Sequence, residues 1–188
     1  MLAWGILLGA KLFDLRVLVG AWSAAPPASL QLLPYGPHYP VDTGEFFIPS
    51  SAALLLASCG ALVSGWRTPL RYRGWLAVSA LMIFVTLIFT VVAFWPRNAA
   101  LWAVAKGSAT ALQEPAQISK MVHEWVVYDW LRVAMASVGF VAAVRAISVP
   151  FPALLEAATP TSLGLKIIYG LGVAVVVLFV LYFVGAIF

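Results

Sequence analysis

The feature that most constrains the fold is an apolar stretch, residues 125–147, that carries an acid and a base in its first third. The stretch is long enough to cross a hydrocarbon core of about 30 Å as a helix. Trp125, Asp129 and Arg132 share one helix face, and small residues such as Gly139 continue it. Because ionisable groups are costly in lipid, this face is predicted to point into the protein, where the charges pair or meet a polar cavity.

Composition places the whole chain in the membrane. Of 188 residues, 63% are hydrophobic and 10% are charged. We therefore expect an integral membrane, all-α protein: a four-helix bundle plus a fifth C-terminal transmembrane helix, with the lipid bilayer around it. The formal net charge of +4 is spread over loop ends, so it indicates membrane topology and not a nucleic-acid partner.

The apolar runs predict where the helices lie. They cover residues 2–22, 46–66, 75–95, 125–147 and 163–188. The first four helices form a predicted core over residues 1–147, and residues 148–188 hold a connector and the additional helix.

Charged residues in the loops predict the orientation. The loop 67–74 contains three arginines and is the strongest cytoplasmic marker in the chain. The N-terminus is then predicted inside and the C-terminus outside, in a bacterial cytoplasmic membrane. The polar residues of segments 38–45, 97–98 and 123–132 converge on the extracytoplasmic side, which predicts a site there.

Four motifs resemble those of the anthrone oxygenase-like family, small four-helix membrane proteins. They are Phe46-Phe47-x-Pro49, Trp66-Arg67, Phe94-Trp95-Pro96-Arg97-Asn98 and Glu124-Trp125-x-x-Tyr128-Asp129-Trp130-x-Arg132. Asp129 stands where the family usually has Asn. The resemblance covers residues 1–147 and implies an oxidation such as that of fungal members, which convert anthrones to anthraquinones with molecular oxygen and no dedicated organic cofactor.

An oxidation of this kind needs a base to form a carbanion and cations or donors to stabilise the enolate. His123 is the predicted base, and Asp129 is the alternative. Arg132 and Arg97 would hold the enolate oxygen, with Asn98 as a hydrogen-bond donor. The opposing interpretation is that these charged groups form structural ion pairs that fix helix packing.

Aromatic residues and the charges of the first helix would complete a substrate site. Trp95, Trp125 and Trp130 could stack on a flat substrate, and Lys11 with Asp14 could line the cavity. Alternatively, the tryptophans form an aromatic belt at the membrane boundary, and Lys11 with Asp14 forms an ion pair within its helix.

Two alternatives to this oxidation site stay open, a metal site and a role as an accessory subunit. A metal site could draw ligands from His38, Glu45, His123 and Glu124, although their spacing matches no metal signature. The sequence itself requires no cofactor, apart from molecular oxygen if the protein is an oxygenase. The chain could also be a non-catalytic accessory subunit that docks on a larger membrane complex through the helix 163–188. The predicted partner is thus either a hydrophobic small molecule or other membrane subunits.

Overall fold

The computed structural model describes residues 1–34, 43–108 and 114–148 of the chain. The regular structure in these ranges is helical and consists of four main helices and one short 3-10 helix, Ala28–Leu32. The main helices are α1 (residues 2–22), α2 (Gly44–Ser64), α3 (Leu70–Ala105) and α4 (Pro115–Ser148). The all-α prediction is confirmed for this part of the chain, and the predicted fifth helix lies outside it.

Three of the main helices, α2, α3 and α4, are long and apolar enough to cross a membrane. The chain is therefore an integral membrane protein, as predicted. Helix α1 is not among these three, because Lys11, Asp14 and Arg16 interrupt its apolar sequence. Lys11 and Asp14 are buried in the protein, whereas Arg16 is exposed.

Helices α1 and α3 each contain a π-helical turn, Asp14–Leu18 and Thr90–Phe94 respectively. The second turn lies just before Pro96, which has no N–H and whose ring would clash with a carbonyl in a continuous α-helix. The sequence predicted a helix end at residue 95, with a further helical stretch possible over residues 98–105. In the structure the widened turn accommodates the proline, and the helix continues without a break to Ala105.

The buried face of α4 is the one that the residue spacing predicted. Trp125, Asp129, Arg132 and Gly139 are all buried along it. The helix begins at Pro115, earlier than the predicted start at residue 125. Proline is well tolerated in the first turn, where its missing N–H would have no partner within the helix.

Trp4 of α1 packs against α4 at Gly139. A Cβ atom at this position would clash with Cη2 of Trp4, so only glycine leaves room for the indole. Trp4 is 1% exposed, and its Nε1 donates a hydrogen bond of 2.8 Å to Ser79 Oγ on α3. One indole therefore connects three helices.

Replacing Gly139 with alanine is expected to lower the free energy of unfolding by about 1–3 kcal/mol, the usual cost of overpacking. The hydrogen bond to Ser79 holds the indole of Trp4 in the path of the new methyl group. Gly9→Ala is the matched control, because a Cβ atom at that helical position meets nothing within 4 Å. Unfolding of both variants in the same detergent checks the expectation, and equal stabilities would contradict it.

Candidate functional site

Asp129 and Arg132 form an ion pair inside the helix bundle, where their exposed fractions are 0% and 7%. Arg132 Nε donates to Asp129 Oδ1 at 2.7 Å, and Nη2 donates to the same oxygen. Asp129 Oδ2 is buried and accepts no hydrogen bond from the described residues. An oxygen that has lost its water without gaining a donor is energetically costly, so Oδ2 is an atom at which a ligand would gain binding energy.

A second buried ion pair lies on α1. Lys11 Nζ is 3.3 Å from Asp14 Oδ2, and it is 3.9 Å from the ring centre of Phe47 on α2. Trp4 of α1 packs against Gly139 of α4. Lys11 lies two helical turns after Trp4, and Arg132 lies two turns before Gly139, so this contact places the two ion pairs at one level of the bundle, close enough for their charges to influence each other. These four ionisable residues form one group, called here the charged cluster, with no net formal charge.

Aromatic rings face both cations of the charged cluster. The guanidinium carbon of Arg132 is 3.9 Å from the ring centre of Phe94 on α3 and 5.8 Å from that of Trp125. Phe47 faces Lys11 in the same way. Cation–π contacts of this kind stabilise a cation where water is excluded. All four main helices therefore contribute a side chain to this region.

The two π turns also meet the charged cluster. Asp14 is the first residue of the turn in α1, and Phe94 is the last residue of the turn in α3. Single π turns inside α-helices occur frequently at functional sites. Their position, together with the buried charges and the free Oδ2 atom, marks the centre of the bundle as the candidate functional site.

A second polar group lies between α3 and α4, where it is partly exposed. Arg97 Nη2 is 3.0 Å from Glu124 Oε2, and Nη1 donates to a backbone carbonyl one turn earlier. The guanidinium carbon of Arg97 is 4.6 Å from the ring centre of Tyr128. Edge-to-face contacts from Tyr128 to Phe89 and from Phe89 to Phe94 connect this group with the ring that faces Arg132.

Asn98 and Trp125 are bound to each other. Trp125 Nε1 donates a hydrogen bond of 2.8 Å to Asn98 Oδ1, and the indole is 4% exposed. Trp22 and Phe94 pack against it edge to face, with ring centres 4.9 Å and 5.0 Å away. This indole is part of the core, which favours the structural interpretation for Trp125 and for the side-chain oxygen of Asn98.

Replacing Asn98 with alanine is expected to lower the free energy of unfolding by about 1–3 kcal/mol, because the buried indole N–H of Trp125 loses its acceptor. Trp125→Phe removes the same hydrogen bond from the other side. A double-mutant cycle of the two substitutions, measured by unfolding in detergent, isolates the pairwise energy. Strictly additive effects would show that the bond contributes no stability.

Three other predicted site residues are less buried than the charged cluster. His123 is exposed on α4, and Trp130, on the same helix, is 47% exposed. Trp95 is partly buried on α3. His123 and Trp130 are exposed, unlike the buried ion pairs, and the roles of all three residues stay predictions.

The metal alternative receives no support from the described residues. Among residues 1–34, 43–108 and 114–148, no three His, Cys, Asp or Glu side chains come close enough together to hold a metal ion. Of the four candidate ligands, Glu45 and His123 are exposed, Glu124 pairs with Arg97, and His38 lies outside the described residues.

Sequence reasoning did not assign Phe47 and Phe94 to the site. Their rings face the two buried cations. Both residues lie in the motifs that carry the family resemblance, which was an available signal. Apolar helices contain many aromatic residues, however, and spacing along one helix does not tell which ring meets a cation on another.

A sequence model described as anthrone oxygenase matches residues 39–142, more than half of the chain. The chain belongs to the anthrone oxygenase family. No characterised protein and no solved structure matches it significantly. The family match includes the Asp129–Arg132 pair but begins after helix α1. Lys11 and Asp14 therefore join the charged cluster from outside the matched segment.

Proposed function

We propose that this protein oxidises a hydrophobic polycyclic or quinone-like substrate with molecular oxygen at the charged cluster. The observation that carries the proposal is the buried Oδ2 atom of Asp129, which has no donor among the described residues. A carboxylate oxygen in such a place is available to act as a general base. Lys11 and Arg132 would provide the positive charge that stabilises a developing enolate.

The proposed reaction uses a methylene carbon that is conjugated with a ketone through aromatic rings, so that the substrate can form an enol. Asp129 Oδ2 takes the proton of the enol hydroxyl, and the electron pair of the resulting enolate extends to the former methylene carbon. Molecular oxygen accepts these electrons and bonds to the carbon, and the proton from Asp129 completes a hydroperoxide. Loss of the second proton and cleavage of the O–O bond give a new ketone and water, so the reaction needs no further reductant.

The surroundings of the site suit an apolar substrate. Helices α2, α3 and α4 are long and apolar enough to lie in the bilayer, from which such a substrate would enter. The arginine-rich loop 67–74 predicts that the site lies toward the extracytoplasmic side. Because Asp129 is 0% exposed, entry requires nearby side chains to move, and Lys11 has a flexible four-carbon stem.

Oxygen uptake by the purified protein in lipid nanodiscs tests the proposal. With a dihydroxyanthrone as substrate, we expect uptake of one dioxygen per substrate, faster than in empty nanodiscs, where only spontaneous oxidation occurs. Mass spectrometry should identify the corresponding ketone as the product. Equal rates with and without the protein would contradict the proposed activity.

The accessory-subunit hypothesis stays a separate prediction, because the helix 163–188 on which it depends lies outside the described residues. A native mass spectrum of protein extracted gently from its membranes distinguishes the two. A mass of 20.2 kDa or a small multiple agrees with a self-contained enzyme, whereas additional polypeptides would indicate a subunit of a larger assembly.

A further inference from the structure

We infer that the charged cluster selects aromatic ligands that present a hydroxyl group, and that it binds the reduced, hydroxylated form of a substrate more tightly than the oxidised, carbonyl form. The inference deepens the proposed function and rests on it for the substrate class. It follows from Asp129 Oδ2, a buried atom of the charged cluster that accepts no hydrogen bond from the described residues.

The chemistry of the free position is that of an acceptor. An ionised carboxylate has no hydrogen to donate, so each of its oxygens can only accept. Oδ1 of Asp129 already accepts two N–H groups from Arg132, whereas Oδ2 accepts none from the described residues. A ligand hydroxyl can donate a hydrogen bond to Oδ2. A ligand carbonyl cannot, because it would place a second acceptor beside this oxygen.

The donors near this position already have partners. Lys11 Nζ contacts Asp14 and the ring of Phe47, and the guanidinium of Arg132 contacts Asp129 and the ring of Phe94. A neutral carbonyl would have to compete with these contacts. The unused hydrogen-bonding capacity of the charged cluster is therefore mainly that of an acceptor.

This asymmetry has a direct effect on turnover. An anthrone-like substrate can present an enol hydroxyl to Oδ2, whereas the ketone product has only a carbonyl at that carbon. Oxidation thus removes the donor that Oδ2 binds. The product should leave more readily than the substrate, without any change in the protein.

Binding of three small probes to the protein in nanodiscs tests the inference. Naphthol has the donor, methoxynaphthalene has the same ring without it, and naphthoquinone has acceptors only. After subtraction of partitioning into empty nanodiscs, equilibrium dialysis should show naphthol binding about ten- to hundredfold more tightly than the other two, as expected for a hydrogen bond to a charged group.

Asp129→Asn should reverse this preference. The amide has the same shape as the carboxylate, and Arg132 is expected to donate hydrogen bonds to its oxygen. The amide NH2 group then takes the position of Oδ2. The variant would then favour naphthoquinone over naphthol. Glu124→Gln is the matched control, because it removes a carboxylate from the same helix outside the charged cluster and leaves Oδ2 of Asp129 unchanged, so the preference for naphthol should persist.

Equal affinity of the unaltered protein for naphthol and methoxynaphthalene would overturn the inference, and this comparison needs no variant to fold. A preserved naphthol preference in Asp129→Asn would also overturn it. The outcome is separable from the proposed function. A clear naphthol preference without oxygen uptake would leave the inference standing and reject the oxidation, whereas uptake without any preference would do the reverse.

Discussion

Replacing Asp129 with leucine is expected to lower the free energy of unfolding by about 3–5 kcal/mol, because Arg132 would become a buried charge without a partner. The guanidinium is 7% exposed, and two of its N–H groups bond to the carboxylate that the substitution removes. Denaturant unfolding in a mild detergent measures the loss.

Two further variants show whether the loss comes from the buried charge. Combining Asp129→Leu with Arg132→Met should recover most of the lost stability, since a buried pair can often be replaced by apolar residues without harm. Glu124→Leu breaks the partly exposed pair with Arg97 and should cost less than about 1 kcal/mol. Similar losses for Asp129→Leu and Glu124→Leu would show that burial does not set the energy of these pairs.

Asp129→Asn is expected to lower the rate of substrate oxidation by about 100- to 10,000-fold, the usual contribution of a general base. The amide has nearly the same shape as the carboxylate and can still accept hydrogen bonds from Arg132. It is not basic, however, so it cannot take a proton from the substrate. The oxygen-uptake assay in nanodiscs measures the effect, and a normal melting temperature shows that the fold is retained.

His123→Gln decides between the two candidate bases. His123 is exposed and lies outside the charged cluster, so if Asp129 is the base this substitution should have a much smaller effect. Lys106→Gln, at an exposed position in the turn after α3, controls for the loss of a surface charge. A loss of about 100-fold or more in His123→Gln, with normal activity in Asp129→Asn, would assign the base to the histidine.

The inward face of α4 could be predicted from sequence because it depends on a local rule. Residues three and four apart share a helix face, so the spacing of Trp125, Asp129 and Arg132 was sufficient. The same rule explains why His123 points elsewhere, since it precedes Trp125 by two residues and about 200° of helix rotation. Applied more strictly, the rule would have made the histidine a weaker candidate.

The meeting of the two ion pairs could not be predicted in this way. Lys11 with Asp14 and Asp129 with Arg132 are each local pairs, three residues apart on one helix. Their interaction depends on how far α1 slides along α4, which the contact of Trp4 with Gly139 helps to set. Such a register is a property of packed helices and has no signature in the spacing of one helix.

The π turn in α3 lets the helix hold one additional residue without losing its register. Each residue of an α-helix turns the chain by about 100°, so an extra residue in a continuous α-helix would rotate everything that follows. The widened turn Thr90–Phe94 takes up that residue instead. Deleting one residue there should restore a continuous α-helix and leave Arg97 facing Glu124. Related chains that differ by one residue at this place could therefore present the same side chains to α4.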